Sequence, residues 1–456
     1  MDNGPKSIFS QASRTKKYVA SLGVFYCAFC LGISMSFLNP TMLDFSSKLQ
    51  EDVDTVSIAF TVLTAAYLFG ALFSGIALNY IPRQLCVMML LTFMAVPLFI
   101  FPYVESVMML YVLTFIMGFG GGGFDTAQVA WIIDIWRHEA GPFILTQHFS
   151  YSVGTLIPPL IQGPYLTEEV KEYNCTTRSV ISQEVSSTEL PPYESQLQTP
   201  FTIGGSIVLI SIIIQTCLYF FVFRQKKAPE DSVNKQNEIE LEDKSKEVEP
   251  EASPTGKSDL RRKLKLIGLC CCVIGFYQGL ELCTSQFIPT FSHFSDVCLS
   301  EKEGAQIAFG LQMGFASGRL CGILLVLKVA PHFILAGNFL LLLVCNIILL
   351  VWAGSNVTWL WIGSVGIGLG MSTVYPALYA YIEKYLFVTD SIAATVAVCG
   401  GLVSAIYPIV VGKSVEHNPE VMTYVNFLSI FVCVVAFSIL FFITHVRAAR
   451  SRKAVD

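Results

Sequence analysis

Twelve apolar runs, each long enough to cross a lipid bilayer, recur along this 456-residue chain. A hydrocarbon core about 30 Å thick takes about 20 residues of helix at 1.5 Å per residue. Inside it every backbone N–H and C=O must find a partner within the protein, which leaves helices or a closed barrel. Runs of this length select helices. They fall near 17–40, 56–80, 84–101, 107–130, 141–165 and 201–223, then near 264–290, 304–327, 333–353, 357–382, 391–412 and 421–446. The first run follows Lys16-Lys17, but it is longer than a secretory h-region and lacks a small-residue cleavage site, so it counts as a span. Charged residues make up only 14% of the chain, against roughly 25% in soluble domains, and the 53% hydrophobic content excludes a disordered chain. A net charge of −5 offers no whole-molecule attraction to nucleic acid. The 14 cysteines lie mostly inside apolar runs, as in Cys270-Cys271-Cys272, with no ligand-like pairing to histidine. They read as small buried thiols, and neither a metal site nor a bound cofactor is expected.

Charge sets the orientation. With both termini in the cytoplasm, 23 of the 29 Lys and Arg residues fall on the cytoplasmic side, as the positive-inside rule requires. The chain then divides into a cytoplasmic tail 1–16, a six-helix half 17–224 with an outer loop 166–200, a cytoplasmic linker 225–262, a second six-helix half 263–447 and a cytoplasmic tail 448–456. The linker is rich in Glu, Lys, Ser and Pro and reads as disordered. Asn174-Cys175-Thr176 is a glycosylation sequon that this topology places outside. Cys175 and Cys298 both fall in outer loops, where a disulfide between them is chemically permitted.

The halves repeat one another. Gly118, Gly120 and Gly122 recur as Gly366, Gly368 and Gly370, and Pro159-x-x-x-Gly163 recurs as Pro408-x-x-x-Gly412. The glycine runs lie inside apolar spans, so they read as close helix packing or bending rather than as a nucleotide-binding turn. The expected fold is an all-α membrane protein of 12 transmembrane helices in two six-helix halves.

An ionisable side chain near the bilayer centre costs about 2.5–3.5 kcal/mol on insertion scales and calls for a partner or a cavity. Asp125, His148, Glu281 and Arg319 occupy such positions. Counting helix rise puts the first, second and fourth in the middle or inner half of the membrane and Glu281 in the outer half. Gln128 follows Asp125 on the same helical face, Gln147 adjoins His148, Gln278 precedes Glu281 by three residues, and Gln312 lies in the eighth span. Carboxylates and amides together suit a neutral polyhydroxylated solute, and Tyr151, Tyr277 and Tyr375 offer apolar faces to a ring. The competing reading is that these groups only hydrogen-bond one helix to another. Between the second and third spans, Gly75 is followed by Asn79, Tyr80 and Arg83, so an inner gate built on an acidic residue there is not expected.

Asp125-Thr126-Ala127, Trp131-Ile132-Ile133-Asp134-Ile135-Trp136 and Gln147-His148-Phe149-Ser150-Tyr151-Ser152-Val153-Gly154 form the most specific block. With Asn39-Pro40-Thr41-Met42-Leu43-Asp44, Tyr277-Gln278-Gly279-Leu280-Glu281, Gly318-Arg319 and Tyr375-Pro376, the chain resembles the sodium-dependent glucose transporter branch of the major facilitator superfamily, related to fucose–proton symporters. The resemblance implies the major facilitator fold and a hexose carrier working by alternating access on a cation gradient. In fucose symporters an acidic residue of the fourth-span motif serves sugar recognition and proton coupling, and Asp125 occupies that position. The carboxylate late in their first span is replaced here by a neutral residue near Ser36, which favours sodium over protons or leaves facilitated diffusion.

The expectation is therefore a secondary transporter, not an enzyme, moving a small polar solute, a glucose-like hexose, through a monomer in the plasma membrane. Asp125, Gln128, Gln147, His148, Gln278, Glu281 and Gln312 are the candidate substrate ligands, with Asp125 and Glu281 also coupling the ion. Arg319 either neutralises a carboxylate or forms part of a gate. No catalytic group is expected, since His148 lacks a positioned acid or nucleophile. The alternatives are a facilitative or proton-coupled carrier of another small polar solute, or a non-transporting receptor or scaffold of the same fold.

Overall fold

The computed structural model describes residues 13–78, 80–166, 195–220, 257–325, 328–386 and 390–453. Asn174, Cys175, most of the outer loop and most of the linker lie outside these residues. Cys298 is disulfide-bonded, whereas 12 other cysteines are free thiols.

The first half consists of α1 (Arg14–Ser36), α2 (Met42–Leu49), α3 (Val53–Ala77), α4 (Arg83–Ile100), α5 (Val107–Trp136), α6 (Ala140–Thr155), α7 (Ile157–Gln162) and α8 (Gln198–Leu218). The second consists of α9 (Lys257–Phe294), α10 (Glu301–Leu325), α11 (Pro331–Ile348), α12 (Val357–Met371), α13 (Val374–Ile382), α14 (Asp390–Ser404), α15 (Tyr407–Val415) and α16 (Val421–Lys453). Two helices outrun their expected bounds, since α9 begins inside the stretch read as linker and α16 continues through most of the stretch read as a tail. Both extensions are helical at lower hydropathy, which a search for apolar runs does not register.

Among the described residues, 11 helical stretches are long and apolar enough to cross a membrane. The twelfth expected span, 141–165, is broken between α6 and α7. Pro158 and Pro159 lack the N–H groups that would bond the carbonyls of Gly154 and Thr155, so the regular ladder cannot continue there. The break repeats in the second half. There α14 ends at Ser404 and α15 starts at Tyr407, just before Pro408, the proline one repeat on from Pro159.

Twelve crossings return the chain to the side on which it started. We refer to this side as the terminal face and to the other, which carries Gln50 and Asn418, as the far face. Within each half the glycine runs do what their spacing implied. A methyl group on Gly122 would overlap the carbonyl oxygen of Tyr67 in α3, and one on Gly368 would overlap that of Leu311 in α10. Only glycine lets backbones approach this closely. Pairs α3–α5 and α10–α12 thus form equivalent packed units in the two halves.

At the terminal face Trp136 closes α5. Its ring stacks on Phe143 of α6 at 3.8 Å between centroids, and its indole N–H donates to the Ser21 hydroxyl of α1 at 2.7 Å. Nearby, Arg83 at the start of α4 pairs with Asp134 of α5. The arginine of the degenerate loop motif has therefore found its carboxylate 51 residues away.

The halves meet along α3, α6 and α7 on one side and α9, α10, α14 and α15 on the other. From the far face inward, Glu416 Oε1 accepts the backbone N–H of Val53 at 2.8 Å, and the Thr61 hydroxyl donates to the Ala405 carbonyl at 3.0 Å. Phe60 meets Phe287 edge to face, 5.8 Å between centroids. The described contacts close the far face.

Candidate substrate and ion site

Asp125 sits on α5, partly exposed at mid-depth. Both its carboxylate oxygens are engaged. Oδ2 accepts the Tyr67 hydroxyl of α3 at 2.7 Å, and Oδ1 accepts Gln128 Nε2 at 2.7 Å. Gln128 is 1% exposed, and its own Oε1 has no partner. It serves first to orient Asp125, as the helical spacing of three residues allows.

Arg319 of α10 bridges the halves. Its Nη1 donates to the His148 carbonyl of α6 at 2.8 Å. The guanidinium lies 4.2 Å from the Phe315 ring centroid and 5.7 Å from that of Tyr151, a geometry that holds a cation against aromatic faces. Arg319 is also within electrostatic reach of Glu281, and His148 lies within electrostatic reach of both Arg319 and Asp125. Glu281 interacts in turn with Tyr277, whose hydroxyl donates to the Met371 carbonyl at 2.6 Å. Tyr375 of α13 interacts with both Asp125 and Glu281.

The structure therefore brings Asp125, His148, Glu281 and Arg319 into one cluster, ringed by Tyr67, Tyr151, Tyr277 and Tyr375, at the contact of the halves. The glutamines divide. Gln147 is fully buried, and neither end of its amide has a partner, the state expected of a group that awaits a ligand or water. Gln312 is already committed across the interface, its Oε1 accepting the Thr155 hydroxyl at 2.8 Å. Gln278 packs so close to Gly400 of α14 that a methyl there would overlap its Oε1. Both are more firmly engaged by protein than the sequence suggested.

Tyr67 was not foreseen. In an apolar second span a tyrosine reads as packing or as an interfacial ring. The one available signal was depth, since Tyr67 lies about 21 Å along its helix from Val53 and Asp125 about 27 Å from Val107, both starting at the far face. Among the described residues no group of three or more His, Cys, Asp or Glu side chains is placed to hold a metal ion.

Two repeated helical halves, meeting at a polar cluster inside the membrane, define an integral multi-pass transport protein. The chain matches the Major Facilitator Superfamily model over residues 24–408 and belongs to that family. Its members are transporters, and this chain is not an enzyme. It is similar to sodium-dependent glucose transporter 1A of Mus musculus, 23% identical over 405 residues that cover 87% of this chain and 89% of that one. Sodium-dependent glucose transporter 1 of Danio rerio is 23% identical over 462 residues, covering 96% of this chain and 73% of the relative. Major facilitator superfamily domain-containing protein 4A of Mus musculus is 22% identical, with 92% and 89% covered. Among solved structures, the crystal structure of a D-xylose-proton symporter superposes with a TM-score of 0.66 at 11% identity, covering 92% of this chain and 96% of that one. At that identity the likeness concerns the fold alone.

Proposed function

We propose that this protein moves a monosaccharide, a glucose-like hexose, across the plasma membrane by alternating access, coupled to a cation gradient with sodium as the favoured ion. The observation that carries the reading is Asp125, a carboxylate at mid-depth clustered with His148, one residue along from a fully buried Gln147 whose amide has no partner. Such an arrangement offers a charge to a cation and an amide to a hydroxylated solute. The names borne by several relatives point the same way, and the neutral Ser36 in the first span argues against a second proton carrier there. The terminal face is assigned to the cytoplasm from the Lys and Arg distribution. Asn174 then faces outward as a glycan acceptor, Cys175 is the assigned partner of Cys298, and the working unit is a monomer.

Coupling requires that the ion favour one conformation over the other, because an ion bound equally in both shifts nothing. The test is uptake of labelled hexoses into proteoliposomes, with sodium and proton gradients imposed separately. Sodium-driven accumulation that disappears in Asp125→Asn supports the reading. Undiminished accumulation in that variant removes Asp125 from coupling, and absence of any hexose uptake retires the sugar.

A further inference from the structure

We propose that Tyr67 is a positioning residue that transmits the occupancy of the Asp125 carboxylate to the interface between the halves. The inference rests on the cation-coupled reading above and deepens it.

The two donors on Asp125 are not equivalent. Gln128 lies on the same helix and approaches Oδ1 from within α5 at 2.7 Å. Tyr67 approaches Oδ2 from α3, also at 2.7 Å. The backbones behind the second bond are tightly packed, the Tyr67 carbonyl lying so close to Gly122 of α5 that a methyl there would overlap it. A cation that takes Oδ2 as a ligand competes with this hydroxyl for the charge of one oxygen, and in the proposal it displaces it.

The displaced hydroxyl has somewhere to go. Tyr151 of α6 and Tyr375 of α13 both lie within electrostatic reach of Tyr67, and Tyr375 belongs to the other half. The next residue along α3, Leu68, is the group that a side chain at Gly401 of α14 would touch, and Thr61 on the same helix bonds Ala405 across the interface. Tyr67 thus stands on the one helix that carries both the Asp125 contact and the cross-half contacts. With the carboxylate vacant, its hydroxyl stays inside the first half. With a cation bound, it is released toward the second half.

The experiment compares wild type, Tyr67→Phe and Asp125→Asn as purified full-length chains. In proteoliposomes, hexose exchange without an ion gradient is set against sodium-driven accumulation. For Tyr67→Phe we expect exchange to fall less than threefold and accumulation more than tenfold. An equal loss of both, in protein that stays monodisperse, assigns Tyr67 to solute binding or to the fold and overturns the proposal. Accumulation at the wild-type level overturns it too. A second readout needs no solute: the melting midpoint in detergent, titrated with sodium chloride against choline chloride at constant ionic strength, reports ion binding by linkage. The wild type should be stabilised by sodium, Asp125→Asn should not respond, and Tyr67→Phe should shift the half-effective sodium concentration at least fivefold. An unshifted midpoint, or no sodium response in the wild type, refutes the proposal. Failure of hexose uptake with an intact sodium response retires the sugar while leaving the Tyr67 proposal standing.

Discussion

The Glu416 carboxylate of one half caps the first turn of α3 in the other, accepting the Val53 N–H at 2.8 Å. A carboxylate at a helix N-terminus satisfies an orphan donor and opposes the positive end of the helix dipole, together worth about 1 kcal/mol. This contact exists only while the far face is closed. Glu416→Ala should therefore shift the conformational balance toward far-face opening by about fivefold, the factor that about 1 kcal/mol represents. Ser57 lies fully buried beneath the closure. In a Ser57→Cys background, labelling by a membrane-impermeant maleimide should accelerate by about that factor when Glu416 is removed. An unchanged rate would show that the cap does not help hold the face shut.

Two glycines of similar appearance should behave in opposite ways. A methyl on Gly122 would overlap the Tyr67 carbonyl, whereas one on Gly75 meets open space. Gly75→Ala relieves helix entropy and should stabilise by about 0.5–1 kcal/mol. Gly122→Ala must separate α3 from α5 and should cost more than the roughly 1–3 kcal/mol of ordinary overpacking, with loss of the Tyr67–Asp125 bond. Thermal melting in detergent separates the two outcomes, and equal midpoints would contradict the packing account.

Trp136 joins three spans, through its stack on Phe143 of α6 and its N–H to Ser21 of α1. Trp136→Phe keeps the stack but loses the hydrogen bond, at a cost of about 1 kcal/mol. Trp136→Ala removes a nearly buried ring and should cost about 3–5 kcal/mol. Ser21→Ala removes the bond from its other side. Because the Ser21 hydroxyl also donates to the Lys17 carbonyl at 2.9 Å, its effect should equal or slightly exceed that of Trp136→Phe, and adding Trp136→Phe to Ser21→Ala should cost little more.

The spans and their duplication were legible because both are written in short-range pattern. Bilayer thickness fixes the length of an apolar run, and repetition copies prolines at a constant offset. Pro40 and Pro289 share the 249-residue separation of Pro159 and Pro408; the second pair sits at a helix break in both halves, whereas α9 runs on through Pro289 to Phe294. The charged members of the site were legible for a related reason, since a charge inside a span stands out against its surroundings. What the sequence withheld were partners. Tyr67 reaches Asp125 across 58 residues, and Arg83 reaches Asp134 across 51. Neither tyrosine nor a loop arginine violates its local setting, so nothing local announces the contact. The same holds for Gln312, whose commitment to Thr155 depends on how two halves dock.

That bond offers the sharpest separation between closing the far face and building either half. Thr155 and Gln312 are 2% and 5% exposed, and the 2.8 Å hydrogen bond between them crosses the interface. Thr155→Val keeps the shape and deletes the donor, leaving Gln312 Oε1 buried without a partner while the halves remain closed, at a cost of about 1–3 kcal/mol. On opening, water relieves that penalty. The variant should therefore favour far-face opening by roughly fivefold or more in the Ser57→Cys labelling assay, with little change in melting of the individual halves. Thr155→Val combined with Gln312→Leu replaces both polar partners by apolar ones, a change that is often nearly neutral, and should bring labelling back toward the wild-type rate. Thr155 and Glu416 sit on opposite halves, at different depths and without a shared partner, so Thr155→Val with Glu416→Ala should add. Rescue in the first pair and additivity in the second would establish two independent latches on one closure. Failure of the rescue would mean that Gln312 acts through some other contact.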